Sequence, residues 1–174
     1  MRIIGLNIVR FIFLIALQLL VVNQIGLGFL SSYISITVYM SFLFTFPVKI
    51  SKYLLLVVSL LLGLTIDMFQ NTDGIHASAC LFMAYVRPFI LNRIQSESPM
   101  EEIHELTIYR EDAQKYILYC LLMSLSFFFW LFLLEEFSIS KLPLVLVKTL
   151  LSGVFSALFI VIGQFLLFKK PKNH

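Results

Sequence analysis

Residues 53–91 read YLLLVVSLLLGLTIDMF (53–69), QNTDG (70–74) and IHASACLFMAYVRPFIL (75–91). Each apolar run approaches the ~20 mostly apolar residues that a membrane-spanning helix needs. The Asn, Asp and Gly residues between the runs favour a tight turn and can cap the helix that follows. The pattern predicts two antiparallel membrane helices. A re-entrant helical hairpin, which would not cross the bilayer fully, is the alternative.

The whole chain shares this apolar character. It has 174 residues, of which 60% are hydrophobic and 13% charged, and a mean hydropathy of +0.95. An ordinary soluble domain carries about 25% charged residues, and a soluble protein this small could not bury so much apolar surface. The 18 phenylalanines suit lipid-facing helices. The composition predicts an integral membrane protein, and the net charge of +3 does not indicate nucleic-acid binding.

Further apolar runs extend the prediction to an all-α protein with six transmembrane helices in a single membrane domain, residues 1–174. The predicted helices cover residues 4–22, 29–46, 53–69, 75–91, 116–134 and 142–168. A cleaved signal peptide is the competing interpretation of the first helix. A retained helix is favoured, because Val22 is followed by Asn23 and Gln24 rather than by a small-x-small cleavage site.

Residues 92–115 form a polar stretch with six acidic residues and are predicted to be a cytoplasmic loop. Pro99 suits the first turn of a helix, and Ile103, Leu106 and Tyr109 recur at helical spacing. This pattern predicts a short amphipathic helix at the membrane surface or against a partner. A solvated acidic linker is the alternative.

The positions of the basic residues predict the orientation. If the N-terminus is cytoplasmic and the helices alternate in direction, the outer side keeps only Lys141 and Lys148. The other eleven of the 13 basic residues then lie inside: Arg2, Arg10, Lys49, Lys52, Arg87, Arg93, Arg110, Lys115, Lys169, Lys170 and Lys172. Cytoplasmic loops of membrane proteins carry an excess of Lys and Arg, so both termini are expected in the cytoplasm.

The same topology separates the two cysteines. Cys80 falls near the outer end of its helix and Cys120 near the inner end of its own, which gives a difference in depth of about 15 Å. A disulfide needs Cα atoms within about 7 Å, so unpaired thiols are expected. The sequence contains no zinc-type Cys/His spacing, P-loop, GxGxxG or evident nucleophile–base pair. We therefore expect no metal, no cofactor and no enzymatic activity.

Charged residues at membrane depth are the first candidates for function. Asp67 stands within an apolar run. It is expected to cap a helix end or to pair with His76 across the turn, with ligand or proton binding and partner contact as alternatives. Asn71 and Gly74 fit ordinary turn chemistry. A metal or proton-relay role for His76 lacks a second ligand at suitable spacing.

Other polar residues near helix ends have simpler expected roles. Arg87, followed by Pro88, is expected to snorkel to the headgroups at the inner end of the fourth helix, and Lys148 to snorkel outward. Glu135 and Glu136 are expected to form a solvated helix end. Small residues four apart predict close packing of the third, fourth and sixth helices. These pairs are Ser59 and Gly63, Cys80 and Ala84, Ser152 and Ser156, and Gly153 and Ala157.

The segment LGLTIDMFQNTDGIHA (62–77) resembles the signature region of the rod shape-determining protein MreD family. That region has a Gly, an Asp about one turn later, a turn that contains Gly, and small residues that open the next helix. Gly63, Asp67 and Gly74 match these positions, and His76 and Arg87-Pro88 are weaker matches. The stretches AYVRPFIL (84–91), EEI (101–103) and FLLEEF (132–137) are similar to Bacteroidetes-type members.

The resemblance implies a multi-pass subunit of the bacterial cytoplasmic (inner) membrane that scaffolds lateral peptidoglycan synthesis and so regulates cell shape. The implied partners are an MreC-type bitopic membrane protein, the actin-like MreB, and the glycosyltransferase and transpeptidase of the elongation complex. The family has no catalytic residues. It is similar in fold to the substrate-binding subunits of energy-coupling-factor transporters, so a vitamin-type transporter subunit is the alternative function.

Overall fold

Helices make up most of the described part of the chain. The computed structural model describes residues 2–20, 34–46, 50–95 and 113–167, and these contain helices and turns but no strand. The helices are α1 (Arg2–Leu20), α2 (Ser41–Phe44), α3 (Lys52–Gln70), α4 (Ile75–Gln95), α5 (Ala113–Glu136) and α6 (Leu142–Leu167). A 3-10 turn at Ile139–Lys141 precedes α6. The all-α prediction is confirmed for these residues.

Within the described ranges, three helices are long and apolar enough to cross a membrane, namely Lys52–Gln70, Ala113–Glu136 and Leu142–Gln164. They correspond to the predicted helices 53–69, 116–134 and 142–168, because each apolar run ends at polar or charged residues. Helix α1 covers the predicted first helix as far as Leu20. This arrangement agrees with an integral membrane protein.

Helices α3, α4, α5 and α6 form a row in which each packs against the next. Neighbours are antiparallel, because Phe82 early in α4 stacks on Trp130 late in α5 with ring centroids 4.4 Å apart. The α3–α4 and α5–α6 turns therefore lie at the same end of the row, here named the turn end. The expected pairing of α3 with α4 is present. The prediction that α6 packs with α3 and α4 is wrong, because α6 packs chiefly on α5, where Gly153 lies against Leu125.

The predicted second helix, residues 29–46, is wrong over residues 34–40, which are not helical. This segment leads into the short helix α2, and residues 29–33 lie outside the described residues. Serine side chains of α6 replace the helical hydrogen bonds that the segment lacks. Ser152 Oγ accepts the Ser35 N–H at 2.9 Å, and Ser156 Oγ accepts the Thr37 N–H at 3.0 Å.

Helix α1 satisfies the opposite edge of the same segment. Gln18 Nε2 donates to the Ile36 carbonyl at 3.1 Å, and its Oε1 accepts the Val38 N–H at 2.8 Å. Non-helical backbone at membrane depth requires protein partners, because lipid offers none. The segment therefore runs between α1 and α6. Its buried side chains Tyr39 and Met40, like Leu43 and Phe44 of α2, belong to the hydrophobic core.

The predicted loop at residues 92–115 is shorter than expected. Helix α4 continues to Gln95 and α5 already begins at Ala113. Leu91 and Ile94 are buried, so apolar contacts at helical spacing prolong α4 past the predicted end. The predicted amphipathic helix in this stretch lies outside the described residues. Cys80 and Cys120 are buried free thiols, as predicted.

Candidate functional site

The α3–α4 turn brings together five of the seven predicted site residues: Gly63, Asp67, Asn71, Gly74 and His76. Asn71 ends α3 in the left-handed conformation, with φ 53° and ψ 44°, which asparagine adopts more readily than most residues. Gly74 has φ 84°, where a side chain would be strained. Asn71 and Gly74 therefore set the geometry of the reversal between the two helices.

Asp67 caps the N-terminus of α4 from within α3. Its Oδ1 accepts the backbone N–H of His76 at 3.0 Å and the hydroxyl of Thr72 at 2.5 Å, and its Oδ2 accepts the backbone N–H of Ala77 at 2.8 Å. The first N–H groups of a helix have no partner within it, and the helix dipole favours a carboxylate there. Asp67 is 5% exposed, so this cap is buried and both of its oxygens are occupied.

Gly63 allows the close approach that this cap requires. A Cβ placed on Gly63 would lie 2.7 Å from the Ala77 backbone nitrogen and 2.8 Å from the His76 carbonyl oxygen, and nearer still to the Ala77 Cα. The backbones of α3 and α4 are therefore in direct contact. Small residues permit such contacts between membrane helices. Asp67 lies one turn further along α3, within reach of the exposed N–H groups of α4.

His76 connects the turn to the segment before α2. Its Nδ1 lies 2.9 Å from the hydroxyl of Tyr39, and the two rings meet edge to face with centroids 6.2 Å apart. Tyr39 is fully buried and also contacts Phe127 of α5. The His76 ring therefore bonds to Tyr39, while Asp67 contacts His76 through its backbone. Tyr39 was not singled out by sequence, because a tyrosine in an apolar run gives no sign of its partner.

Arg87 lies in a second cluster, about 16 Å further along α4 at ~1.5 Å per residue. The prediction that it snorkels to the headgroups is wrong, since it is 2% exposed. Its Nε donates to the Tyr119 hydroxyl at 2.8 Å, and its Nη2 donates to the Phe46 carbonyl. The Tyr119 hydroxyl in turn donates to the Phe44 carbonyl at 3.3 Å. Tyr119 thus binds the carbonyl of the last residue of α2, and Arg87 binds a carbonyl two residues beyond it. Sequence reasoning also missed Tyr119.

Pro88 lies in the interior of α4 rather than near its end, since the helix continues to Gln95. Proline has no N–H, so the Ala84 carbonyl loses its usual helical donor. The neighbouring Arg87 side chain is directed at α2 and α5. Arg87 and Pro88 therefore belong to the packing of α4 and do not approach the turn cluster.

A third polar cluster lies at the turn end, where Glu136 bridges two lysines. Its carboxylate oxygens lie 2.7 Å from the ammonium groups of Lys141 and Lys148. Lys148 also lies 5.7 Å from the ring centroid of Phe132. Glu135 is exposed, as expected of a solvated helix end, whereas the Glu136 side chain is only 13% exposed. The Lys148 side chain reaches the end of α5, where its ammonium group pairs with Glu136.

None of these clusters has the donor set of a metal site. The described residues contain no group of three or more His, Cys, Asp or Glu that could hold a metal ion. No protein-family model, curated protein or solved structure matches the chain. The MreD resemblance of residues 62–77 therefore stays a prediction.

Proposed function

We propose that this chain is a non-enzymatic scaffold of the bacterial cytoplasmic membrane, an MreD-like subunit that holds an MreC-type bitopic partner in the bilayer. The structural roles of the three motif residues support the scaffold proposal. Gly63 permits the α3–α4 contact, Asp67 caps α4 with both oxygens, and Gly74 forms the turn. A carboxylate that acts on a substrate needs an oxygen free to reach it, whereas a scaffold needs a rigid surface.

The proposed topology has six crossings with both termini in the cytoplasm. Helix α4 has 21 residues, which span about 31 Å, close to the ~30 Å hydrocarbon thickness. Its two most polar interior residues, His76 and Arg87, are 8% and 2% exposed and so face protein rather than lipid. The segment that contains α2 would make an interrupted second crossing. The distribution of Lys and Arg supports the orientation.

In this arrangement the membrane helices contact the bitopic partner. The cytoplasmic loops are available to MreB and to the glycosyltransferase and transpeptidase of the elongation complex. The scaffold would thereby link the cytoskeleton to lateral peptidoglycan synthesis and to cell shape. The exposed apolar face of α3, which includes Leu54, Leu61 and Leu64, is one surface on which a partner helix could pack.

The direct test is recovery of the partner from membranes. The full chain would carry an affinity tag at native expression, with a photo-crosslinking amino acid at Leu61 of α3 or Val154 of α6, which are 56% and 42% exposed. Leu62 is fully buried and provides the matched control. We expect a crosslinked MreC-type protein from at least one exposed position and none from Leu62. Failure to recover such a protein with or without crosslinking would count decisively against the scaffold.

One observation favours the second candidate, a substrate-binding subunit of a vitamin-type transporter. Residues 34–40 interrupt a membrane segment inside the bundle, and interrupted helices often mark transporter binding sites. The test is to purify the chain, denature it and search the released small molecules by mass spectrometry. A stoichiometric vitamin-like compound would favour the transporter. Its absence, together with recovery of a bitopic protein, would favour the scaffold.

A further inference from the structure

We propose that the ring of Phe137 anchors the α5–α6 turn in the lipid headgroup region. The partner is the bilayer surface itself. This inference depends on the assignment of α5 and α6 as membrane helices and not on the scaffold function, so either proposal can fail without the other.

The position of Phe137 supports a membrane boundary. One apolar span ends at Glu136 and the next begins at Leu142, so residues 137–141 lie where the chain leaves the hydrocarbon core and returns to it. Phe137 is 86% exposed, and its ring therefore does not pack within the protein. Moving aromatic surface out of water is favourable, and Trp, Phe and Leu are the side chains with which interfacial segments insert at the boundary between headgroups and acyl chains.

The backbone shows that phenylalanine is an unusual residue for this position. Phe137 has φ 37°, in the left-handed region that bulky residues rarely occupy. Its N–H bonds to the Leu133 carbonyl at 3.2 Å and ends α5. Gly or Asn normally fills such a position, and Asn71 fills the equivalent one after α3. Turn geometry alone therefore does not explain Phe137, which indicates a use for its ring outside the turn.

The charges around the turn fit a headgroup location. Glu136 pairs with Lys141 and Lys148 at 2.7 Å each, and Glu135 is exposed one residue earlier. Two acidic and two basic side chains cancel, so the turn has no charge that requires anionic lipid. The pairing of Lys148 with Glu136 also keeps an ammonium group out of the hydrocarbon. We therefore expect the anchor to work in zwitterionic bilayers.

Tryptophan fluorescence in vesicles can locate the ring. The chain has one tryptophan, Trp130, so Trp130→Phe provides a silent background for the reporter Phe137→Trp in phosphatidylcholine vesicles. Asp73→Trp, at an exposed position of the α3–α4 turn, is the matched control. We expect the Phe137→Trp reporter to lose more fluorescence to lipid brominated near the headgroup than to lipid brominated near the bilayer centre. It should also lose less to aqueous acrylamide than the Asp73→Trp reporter does.

Three results would contradict the proposal. Acrylamide quenching as strong as at Asp73→Trp, without quenching by brominated lipid, would place the ring in water. Protection from both quenchers would mean that protein, such as a second copy of the chain, covers the ring. A strong rise in lipid quenching on addition of phosphatidylglycerol would refute the charge-neutral anchor.

A second reporter keeps the test decisive if Phe137→Trp does not fold. Ser140→Trp lies at another exposed position of the same turn and leaves Phe137 in place. We expect its quenching by headgroup-brominated lipid to fall, and its quenching by acrylamide to rise, when Phe137→Asn is added. Asparagine keeps the backbone preference and removes only the ring. Unchanged quenching would show that Phe137 does not hold the turn in the bilayer.

Discussion

At the scale of single residues, Asp67 combines the properties of a buried acid and a helix cap. Its two oxygens satisfy the N–H groups of His76 and Ala77, which have no other helical partner. Removal of the carboxylate would leave these donors buried and unpaired, which typically costs about 1–3 kcal/mol. The side chain therefore contributes to the fold whether or not it also has a role in partner binding.

We predict that Asp67→Ala lowers the free energy of unfolding by about 1–3 kcal/mol. Asp67→Asn should cost less, because the amide keeps one acceptor oxygen. Unfolding in mixed micelles, followed by circular dichroism, would measure both. Asp73→Asn is the control, since Asp73 is exposed in the same turn and should change little. Equal effects at the two positions would contradict the cap.

A second residue-scale prediction concerns Gly63. Gly63→Ala should destabilise the protein strongly, because the new methyl group would overlap the backbone of α4 at Ala77. Overpacking of this kind costs about 1–3 kcal/mol. Gly163→Ala is the matched control, because a Cβ there meets no atom within 4 Å. It should be neutral or stabilise α6 by about 0.5–1 kcal/mol, and the comparison uses the same unfolding assay.

At the scale of elements, residues 34–40 show how a non-helical segment is held inside a helical bundle. We predict that Ser156→Ala leaves the Thr37 N–H without its acceptor and costs about 1–3 kcal/mol. Hydrogen exchange of a peptide spanning residues 34–46 should become faster. Ser126→Ala is the control, because the Ser126 hydroxyl bonds only to the Met123 carbonyl of its own helix. Unchanged exchange in Ser156→Ala would refute this account.

The Arg87 cluster allows a prediction about how two residues, Arg87 and Tyr119, depend on each other for stability. Arg87→Lys should destabilise the protein, because one ammonium group cannot reproduce the geometry of a guanidinium that bonds both Tyr119 and Phe46. Tyr119→Phe should also destabilise it through the lost bonds to Arg87 and Phe44. Since the two residues share a hydrogen bond, the double variant should cost less than the sum of the single ones. Simple additivity would mean that they act independently.

Sequence predicted the helices better than it predicted their interruptions. The apolar runs of α3, α5 and α6 end at polar turns, so the sequence predicts where these helices end. The error at residues 29–46 arose because a buried non-helical segment is as apolar as a buried helix. A signal was present in ISITV (34–38), where Ser and Thr alternate with β-branched apolar residues in the period of an extended chain. The same two-residue period places the backbone N–H groups of Ser35 and Thr37 on the side facing α6.

The sequence predicts only part of the candidate site, because it predicts local contacts better than contacts between distant segments. Asp67, Gly63 and Gly74 are close in sequence to the turn that they form, so local pattern could identify them. The partners of His76 and Arg87 are Tyr39 and Tyr119, which are 37 and 32 residues away. Such pairs depend on how the helices pack. The sequence therefore predicts that Arg87 snorkels, although packing buries it against the Tyr119 hydroxyl and the Phe46 carbonyl.

At the scale of the whole molecule, the remaining question of architecture is whether α3 and α4 both cross the bilayer. Their joint length fits two full crossings, and α4 directs His76 and Arg87 into the protein. Both arrangements place the start of α3 and the end of α4 on the same side of the membrane. They differ in the α3–α4 turn, which reaches the opposite surface after two full crossings and does not reach it in a re-entrant hairpin.

We predict that Asp73→Cys and Asn92→Cys react with a membrane-impermeant maleimide from opposite sides. Both positions are exposed, and Asn92 lies about 26 Å along α4 from Ile75. The background is Cys80→Ala with Cys120→Ala, so that only the introduced thiol reacts. In intact spheroplasts Asp73→Cys should be labelled and Asn92→Cys protected until the membrane is permeabilised. Protection of both thiols in intact cells, with labelling of Asn92→Cys once the membrane is permeabilised, would establish the re-entrant form. A phosphatase fused after Lys172 should be inactive in the same cells, because the proposed six crossings would leave the C-terminus in the cytoplasm. Phosphatase activity there would exclude an even number of crossings from a cytoplasmic N-terminus.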